Sequence, residues 1–169
     1  MKTVPDTGLT IAVVAPDSPT ARRALRAYYH DIVARYHQRP VTDAELDEVL
    51  ADEPSDDLRP PTGWLWAASI DGQVVGCIGL RYVQEDDRGR VGEVTRVHVS
   101  AAARRQGLGS RLLTAVEQQA RADGVAAMRL DVRSDLVEAR ALYARHGYQD
   151  APAFNDSPYA GHWLRKTLA

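Results

Sequence analysis

Residues 91–132 do most to limit what this chain can fold into. "VGEVTRVHVS" (91–100) has the alternation and β-branched content of a strand. "AAARRQ" then leads into "GLGSRLLTAVEQQARADG". There Leu108, Leu112, Val116 and Ala120 recur at four-residue steps with Leu113 beside them, one apolar helical face, and Gly124 stands where a helix would stop. "VAAMRLDV" (125–132) reads as another strand. Strand, helix and strand in so short a span form a βαβ unit, whose two strands pair in parallel through a right-handed crossover.

The flanking segments extend this unit into a mixed sheet with helices on its faces. "LTIAVV" (9–14) alternates like a strand. Ser18 and Thr20 are candidate N-caps for a helix carrying Leu25, Tyr28, Tyr29, Ile32, Val33 and Tyr36 at helical spacing. Thr42 and Glu45 have the spacing of a capping box before Leu46, Val49 and Leu50. The Pro- and Asp-rich stretch 52–63 reads as a mobile surface loop. "GWLWAASI" and "QVVGCIGLRYV" are separated only by Asp71-Gly72, which suits the positive φ angles of a two-residue hairpin turn. "QEDDRGR" (84–90) is a polar turn. "SDLVEARALYARHG" is a helix, with Asp135 and Glu138 at capping-box spacing and Gly147 at its end, and "PYAGHWLRKTLA" closes with a strand-like stretch. The order β-α-α-β-β-β-α-β-α-β, without internal repeats, fits a single domain over residues 1–169.

Charge and cysteine usage narrow the function classes. The formal net charge is −2 with 26% charged residues, a balance with no general attraction for nucleic acid or an anionic membrane. Cys77 is the single cysteine, so no internal disulfide forms and a reducing compartment is expected. No apolar run approaches the roughly 18 residues of a membrane span, and "MKTVPDTGLT" lacks a secretory apolar stretch, so the expected location is cytoplasmic.

The strand-to-helix junction "RRQGLGSRLL" (104–113) carries the clearest chemistry. A helix N-terminus presents about four unpaired N–H groups and roughly half a positive charge. Gly107 and Gly109 remove the Cβ atoms that would hold a bulky anion away, and Arg104 and Arg105 add positive charge, so the loop can cradle a phosphate. It is not a P-loop, since no Gly-Lys-Ser/Thr follows at the required spacing, nor a dinucleotide fingerprint, since Leu112 occupies the third glycine position. Ser110 lacks the flanks of a nucleophile elbow. From the glycines alone, a tight loop with two solvated arginines remains open.

"RRQGLG" (104–109) matches the Arg/Gln-x-x-Gly-x-Gly/Ala signature of the GNAT N-acetyltransferase superfamily. The resemblance covers most of the chain after residue 64 and includes the hairpin, "EVTRVHVS", "RLDVRS" and "ARALYARHGY". It implies a mixed, mostly antiparallel sheet of six to seven strands with a splayed central parallel pair and about four helices. It also implies acetyl-coenzyme A as co-substrate. The pyrophosphate would be held by Arg105, Gln106, Gly107, Leu108, Gly109 and Ser110 with Arg104 nearby. The pantetheine arm would pair with the backbone of Val97, His98 and Val99, where the strand leaves its parallel neighbour after residue 132.

Within that resemblance, Glu93, fourteen positions before Gly107, matches a general-base glutamate, and Tyr143 matches the tyrosine that faces the departing sulfur. An amine with a pKa of about 10.4 is mostly protonated at pH 7, so a carboxylate is needed to free its lone pair. A phenol near 10 is a strong hydrogen-bond donor to a thiolate near 8.5. Leu136 stands where the family often has Asn or Gln, removing one polar contact to the coenzyme. Cys77, in an apolar run, reads as packing. Regular alternation puts His98 on the strand face opposite Glu93 unless a bulge intervenes. His162 is a candidate lining residue for the acceptor, with Tyr28, Tyr29, Trp64, Trp66, Phe154 and Tyr159. No cluster has metal-ligand spacing, so no metal is expected. The leading expectation is an N-acetyltransferase of a small-molecule amine by direct transfer in a ternary complex. A protein lysine or N-terminal acyltransferase and a non-catalytic coenzyme A sensor are the alternatives. The aromatics near the tail leave a homodimer open.

Overall fold

The computed structural model describes residues 8–86 and 88–168. Its elements are β1 (Leu9–Val13), α1 (Pro19–His37), α2 (Asp43–Asp52), β2 (Gly63–Ile70), β3 (Gln73–Glu85), β4 (Gly89–Val99), α3 (Leu108–Ala122), β5 (Ala127–Val132), α4 (Val137–Arg145), β6 (Gln149–Asp150) and β7 (His162–Thr167). The strands form one sheet in the order β1-β2-β3-β4-β5-β7-β6. Only β4 and β5 are parallel; every other neighbouring pair is antiparallel. The mixed sheet, its central parallel pair and the four helices are those the sequence implies.

Local signals account for most of the boundaries. Ser18 caps α1, its Oγ accepting from the Ala21 N–H at 3.2 Å, whereas Thr20 lies inside the helix. Thr42 and Glu45 form the reciprocal capping box on α2. Asp71 and Gly72 take φ +50° and +80°, as a two-residue hairpin turn requires. The buried stripe of α3 (Leu112, Leu113 and Val116 without exposure) meets Ile78, Leu80, Met128 and Leu130 of the sheet. Each such side chain contributes about 1.5–3 kcal/mol. The opposite face carries α1, through Ala21 and Leu25 against Leu65 and through Ala24 against Ala67 and Cys77.

Four expectations need correction. The stretch after α2 is anchored rather than loose: Leu58, its one leucine, is 0% exposed between α1 and β2, and Asp57 is ion-paired with Arg81. Asp135 caps nothing, because Arg133 takes both its carboxylate oxygens at 2.9 and 2.6 Å and Leu136 occupies the N-cap of α4. Gln84 and Glu85 belong to β3 rather than to the turn, within which Asp87 lies outside the described residues. The parallel pairing is shorter than expected: it joins Gly92 to Met128 and Glu93 to Arg129 and ends there, so β4 and β5 diverge well before residue 132.

Candidate active site

Two adjoining cavities open where β4 and β5 diverge. The first, about 650 Å³, lies over the start of α3, between the end of β4, α1 and α4. Gly107 is the N-cap of α3 at φ +76°, with open space where a Cβ would stand, and Arg105 is also left-handed at φ +64°. The Arg111 N–H donates to the Gly107 carbonyl at 3.1 Å, so the amides before it lead the helix without an i−4 acceptor of their own. Arg105 and Arg145 line this cavity with no ion-pair partner among the described residues. Arg104 is tied down, donating to the Val99 carbonyl at 3.0 Å and to Asp31 at 3.4 Å. Ser110 Oγ and His146 Nε2 are 2.6 Å apart, and burial pushes the His146 pKa down. Of the expected coenzyme residues, Val97, His98, Val99, Arg104, Arg105, Gly107, Leu108, Gly109 and Ser110 line the cavity. Gln106 does not; it turns back, donating to the Ala102 carbonyl at 3.3 Å.

The second cavity, about 550 Å³, shares Tyr28, Ile32, Val97, Leu136 and Ala139 with the first. Glu93 and Tyr143 both line it. Glu93, on a side chain 18% exposed, receives Arg129 at 3.0 Å and faces Arg81 at 3.7 Å. Tyr143 is 4% exposed, its ring edge-on to Tyr148 with centroids 5.8 Å apart. Its hydroxyl has no hydrogen-bond partner among the described residues. Burial, reinforced by Tyr28 and Asp131, pushes this phenol above its ordinary pKa and keeps it protonated.

A bulge decides which side chains reach this space. Cys77 pairs with His98 but Gly79 pairs with Thr95, so β4 has an extra residue there, and Arg96 takes φ +56°. The slip carries His98 onto the same face as Glu93, where regular alternation would have put it on the other. His98 Nδ1 stands 3.9 Å from Asp31, and burial outweighs that carboxylate, pushing the imidazole pKa down. The bulge also brings Arg96 to the second cavity, where Arg81, Arg133 and Asp131 join it. Alternation and motif spacing point to none of these four.

The expected acceptor-lining aromatics divide. Tyr28, Tyr29 and Tyr159 line the second cavity. Trp64 donates its indole N–H to Asp123 at 2.9 Å, Trp66 is in the core under α3, and Phe154 lies 4.1 Å beneath the Arg129 guanidinium. His162 pairs with Val132 on β7 and is not a lining residue. Cys77 is fully buried, donates to the Arg96 carbonyl at 3.2 Å and has its thiol pushed up to about 12 by burial, the profile of a packing residue. Among the described residues, no group of three or more His, Cys, Asp or Glu side chains could hold a metal ion. Nor is any helix long and apolar enough to cross a membrane.

Comparison with known proteins agrees with this geometry. The model of the Acetyltransferase (GNAT) family matches residues 26–148. Over 102 residues the chain is 35% identical to the IAA acetyltransferase of Azospirillum brasilense, a match covering 60% of this chain and 63% of that protein. Over 131 residues it is 29% identical to the N-acetylaspartate synthetase of Homo sapiens, covering 78% of this chain and 41% of the relative. The chain thus spans less than two thirds of the length of these curated relatives. The PaiA N-acetyltransferase of Thermoplasma acidophilum, solved in complex with coenzyme A, shares the fold with a TM-score of 0.70 at 15% identity, over 94% of this chain and 98% of that one. With the family match running from α1 through the bulged strand and the glycine loop to Tyr148, this chain belongs to the GNAT family of acetyltransferases.

Proposed function

We propose that this chain moves the acetyl group of acetyl-coenzyme A onto a primary amine of a small molecule, by direct attack while both are bound. The observation that carries the reading is the meeting of the two cavities at Val97 and Leu136. One has the loop amides and unpaired arginines suited to a diphosphate; the other has a carboxylate and a buried phenol. Amides leading α3, with Arg105 and Arg145, would hold the diphosphate, and the β4 edge beyond Glu93 would receive the pantetheine arm as an added strand. Leu136 supplies only apolar contact to that arm.

In the reaction the amine nitrogen forms a bond to the acetyl carbon and the carbon–sulfur bond breaks. Glu93, directly or through a water, takes the proton the amine must lose, a role worth roughly 10²–10⁴ in rate. Tyr143 donates to the sulfur as the intermediate collapses. Arg81 and Arg129 hold the Glu93 carboxylate in place from either side.

The test is thiol release from acetyl-coenzyme A by the purified protein over a panel of amines, with acetylated products identified by mass spectrometry. Release tied to an acetylated small amine is the expected result. Binding of acetyl-coenzyme A without release for any amine would leave a coenzyme-binding module and overturn the proposal.

A further inference from the structure

The second cavity holds two charges that the fold leaves without opposite partners. Three guanidiniums line it: Arg81, Arg96 and Arg133. Arg81 is paired with Asp57 and Glu93, and Arg133 with Asp135. Arg96 is only 8% exposed and has no carboxylate partner among the described residues. Its hydrogen bonds go to Thr95 Oγ1 at 2.9 Å, Ser55 Oγ at 3.3 Å and the carbonyls of Pro54 and Glu53 at 3.4 and 3.5 Å, the Tyr29 ring lies 5.4 Å from its guanidinium, and Asp57 feels its charge without forming an ion pair. The hydrogen-bond acceptors are all neutral, and three of the bonds are long. A buried cation without a counter-ion is costly, and this one also stands on a left-handed backbone, where residues other than glycine are uncommon.

The carboxylates around the cavity are Asp52, Glu53, Glu93 and Asp131. Asp52 and Glu53 are exposed at the end of α2, and Glu93 is held by its two arginines. Asp131 is half-buried on β5, accepts a hydrogen bond from Asn155 Nδ2 at 2.8 Å and has no cationic partner among the described residues. Arg96 and Asp131 line the same cavity of about 550 Å³ as Tyr28 and Tyr143, so the two charges border one small volume beside the proposed proton donor.

From this pairing we infer that the acceptor is a free amino acid, its carboxylate received by Arg96 and its ammonium drawn to Asp131. The inference rests on the acetyltransferase reading above and sharpens it. Arg96 gains the counter-ion it lacks, in the planar geometry a guanidinium offers to a carboxylate. Asp131 brings the nitrogen to the side of the cavity where Tyr143 faces the departing sulfur, and Glu93 takes the proton before attack.

The test uses the wild-type protein with acetyl-coenzyme A and the proteinogenic L-amino acids, β-alanine and γ-aminobutyrate, each beside its own carboxamide. For the preferred acceptor, kcat/KM should exceed that of the carboxamide by at least about tenfold, with most of the difference in KM. Acetylation of carboxamides as fast as, or faster than, every free acid would overturn the inference while leaving the acetyltransferase reading intact. Should neither these compounds nor the wider amine panel above be acetylated, that reading fails; calorimetric binding of the free acids over their carboxamides by the coenzyme-loaded protein would still support the inference, and equal or absent binding would overturn it. Arg96→Gln should bring the acid-to-amide ratio close to one, with its melting curve checked against wild type. The wild-type ratio decides the matter if that variant does not fold.

Discussion

Tyr143→Phe should separate activity from stability, and the structure sets both magnitudes. The phenol ring is 4% exposed and packed edge-on against Tyr148, so Phe keeps nearly all of the buried apolar surface. The hydroxyl has no hydrogen-bond partner among the described residues, so its loss breaks no internal bond. Stability should therefore change by no more than about 0.5 kcal/mol in either direction, a shift in Tm of about 2 °C or less for a chain of this size. The rate should behave otherwise. Removing one preorganised donor to developing negative charge costs about 10²–10³ in kcat. Since burial pushes this phenol up, it stays protonated through the working range, and the loss should hold across neutral pH. Saturating thiol-release assays, thermal melts and coenzyme titration calorimetry measure the three quantities. A kcat within threefold of wild type would show that the thiolate obtains its proton elsewhere. A fall in Tm beyond about 5 °C would show that the hydroxyl has a structural partner and that the geometric argument is wrong.

Glu93→Gln should slow acetylation most at low pH, where unprotonated amine is scarce, and an unchanged pH–rate profile would remove Glu93 as the base. Gly107→Ala should lose only about 1–2 kcal/mol of stability, because the added methyl meets nothing within 4 Å at φ +76°. It should nevertheless weaken acetyl-coenzyme A at least about tenfold by calorimetry, since that open space lies in the loop proposed to hold the diphosphate; unaltered affinity would displace the cradle from this loop. Leu58→Ala should cost about 2–5 kcal/mol in urea denaturation, and a loss under about 1 kcal/mol would mean that the segment after α2 is not anchored. Burial raises the phenols of Tyr28, Tyr82, Tyr143 and Tyr148, and that of Tyr29 to about 12. Their contribution to stability is full below the unfolded value of about 10 and is lost as pH climbs from there through the folded values. Spectrophotometric titration near pH 11 should find far less phenolate in the folded chain than in urea, and coincident curves would contradict the burial.

Where a structural decision is made within a few residues, the sequence announced it. Asp71-Gly72 needs only its own two φ angles, the capping box at Thr42 closes over three residues, and the α3 stripe is a period that any buried helix face must show. Decisions taken between distant groups went the other way. Asp135 had the right spacing to cap α4, but the guanidinium of Arg133, itself donating to the Ile32 carbonyl on α1, captured both carboxylate oxygens. The composition of residues 52–63 was that of a loose loop, yet one leucine reaching the gap between α1 and β2 was enough to anchor it. The two residues of β6 form a strand only because β7 is there to pair with them.

The candidate site shows the same division in its sharpest form. Gly107, Glu93 and Tyr143 can be singled out in one dimension because each sits in a segment that resembles the family's own motifs: "RRQGLG", "EVTRVHVS" and "ARALYARHGY". Arg96, the charge on which the inferred acceptor depends, carries none. Read by alternation it belongs on the α3 face with Val94, where a guanidinium would have no place among Leu112, Val116 and Leu130. The bulge resolves that conflict by adding a residue to β4, turning Arg96 toward the carbonyls of Glu53 and Pro54 and carrying His98 to the side of Glu93. A trace of this was present on the partner strand. Gly76 has no Cβ where one would stand 2.7 Å from the His98 carbonyl, and Gly79 has none where one would press on Thr95 at 3.0 Å. Two glycines inside an otherwise apolar strand mark a close backbone approach. They bracket the point at which β4 bulges, so the signal for the unusual residue lay on β3, opposite the place where it acts.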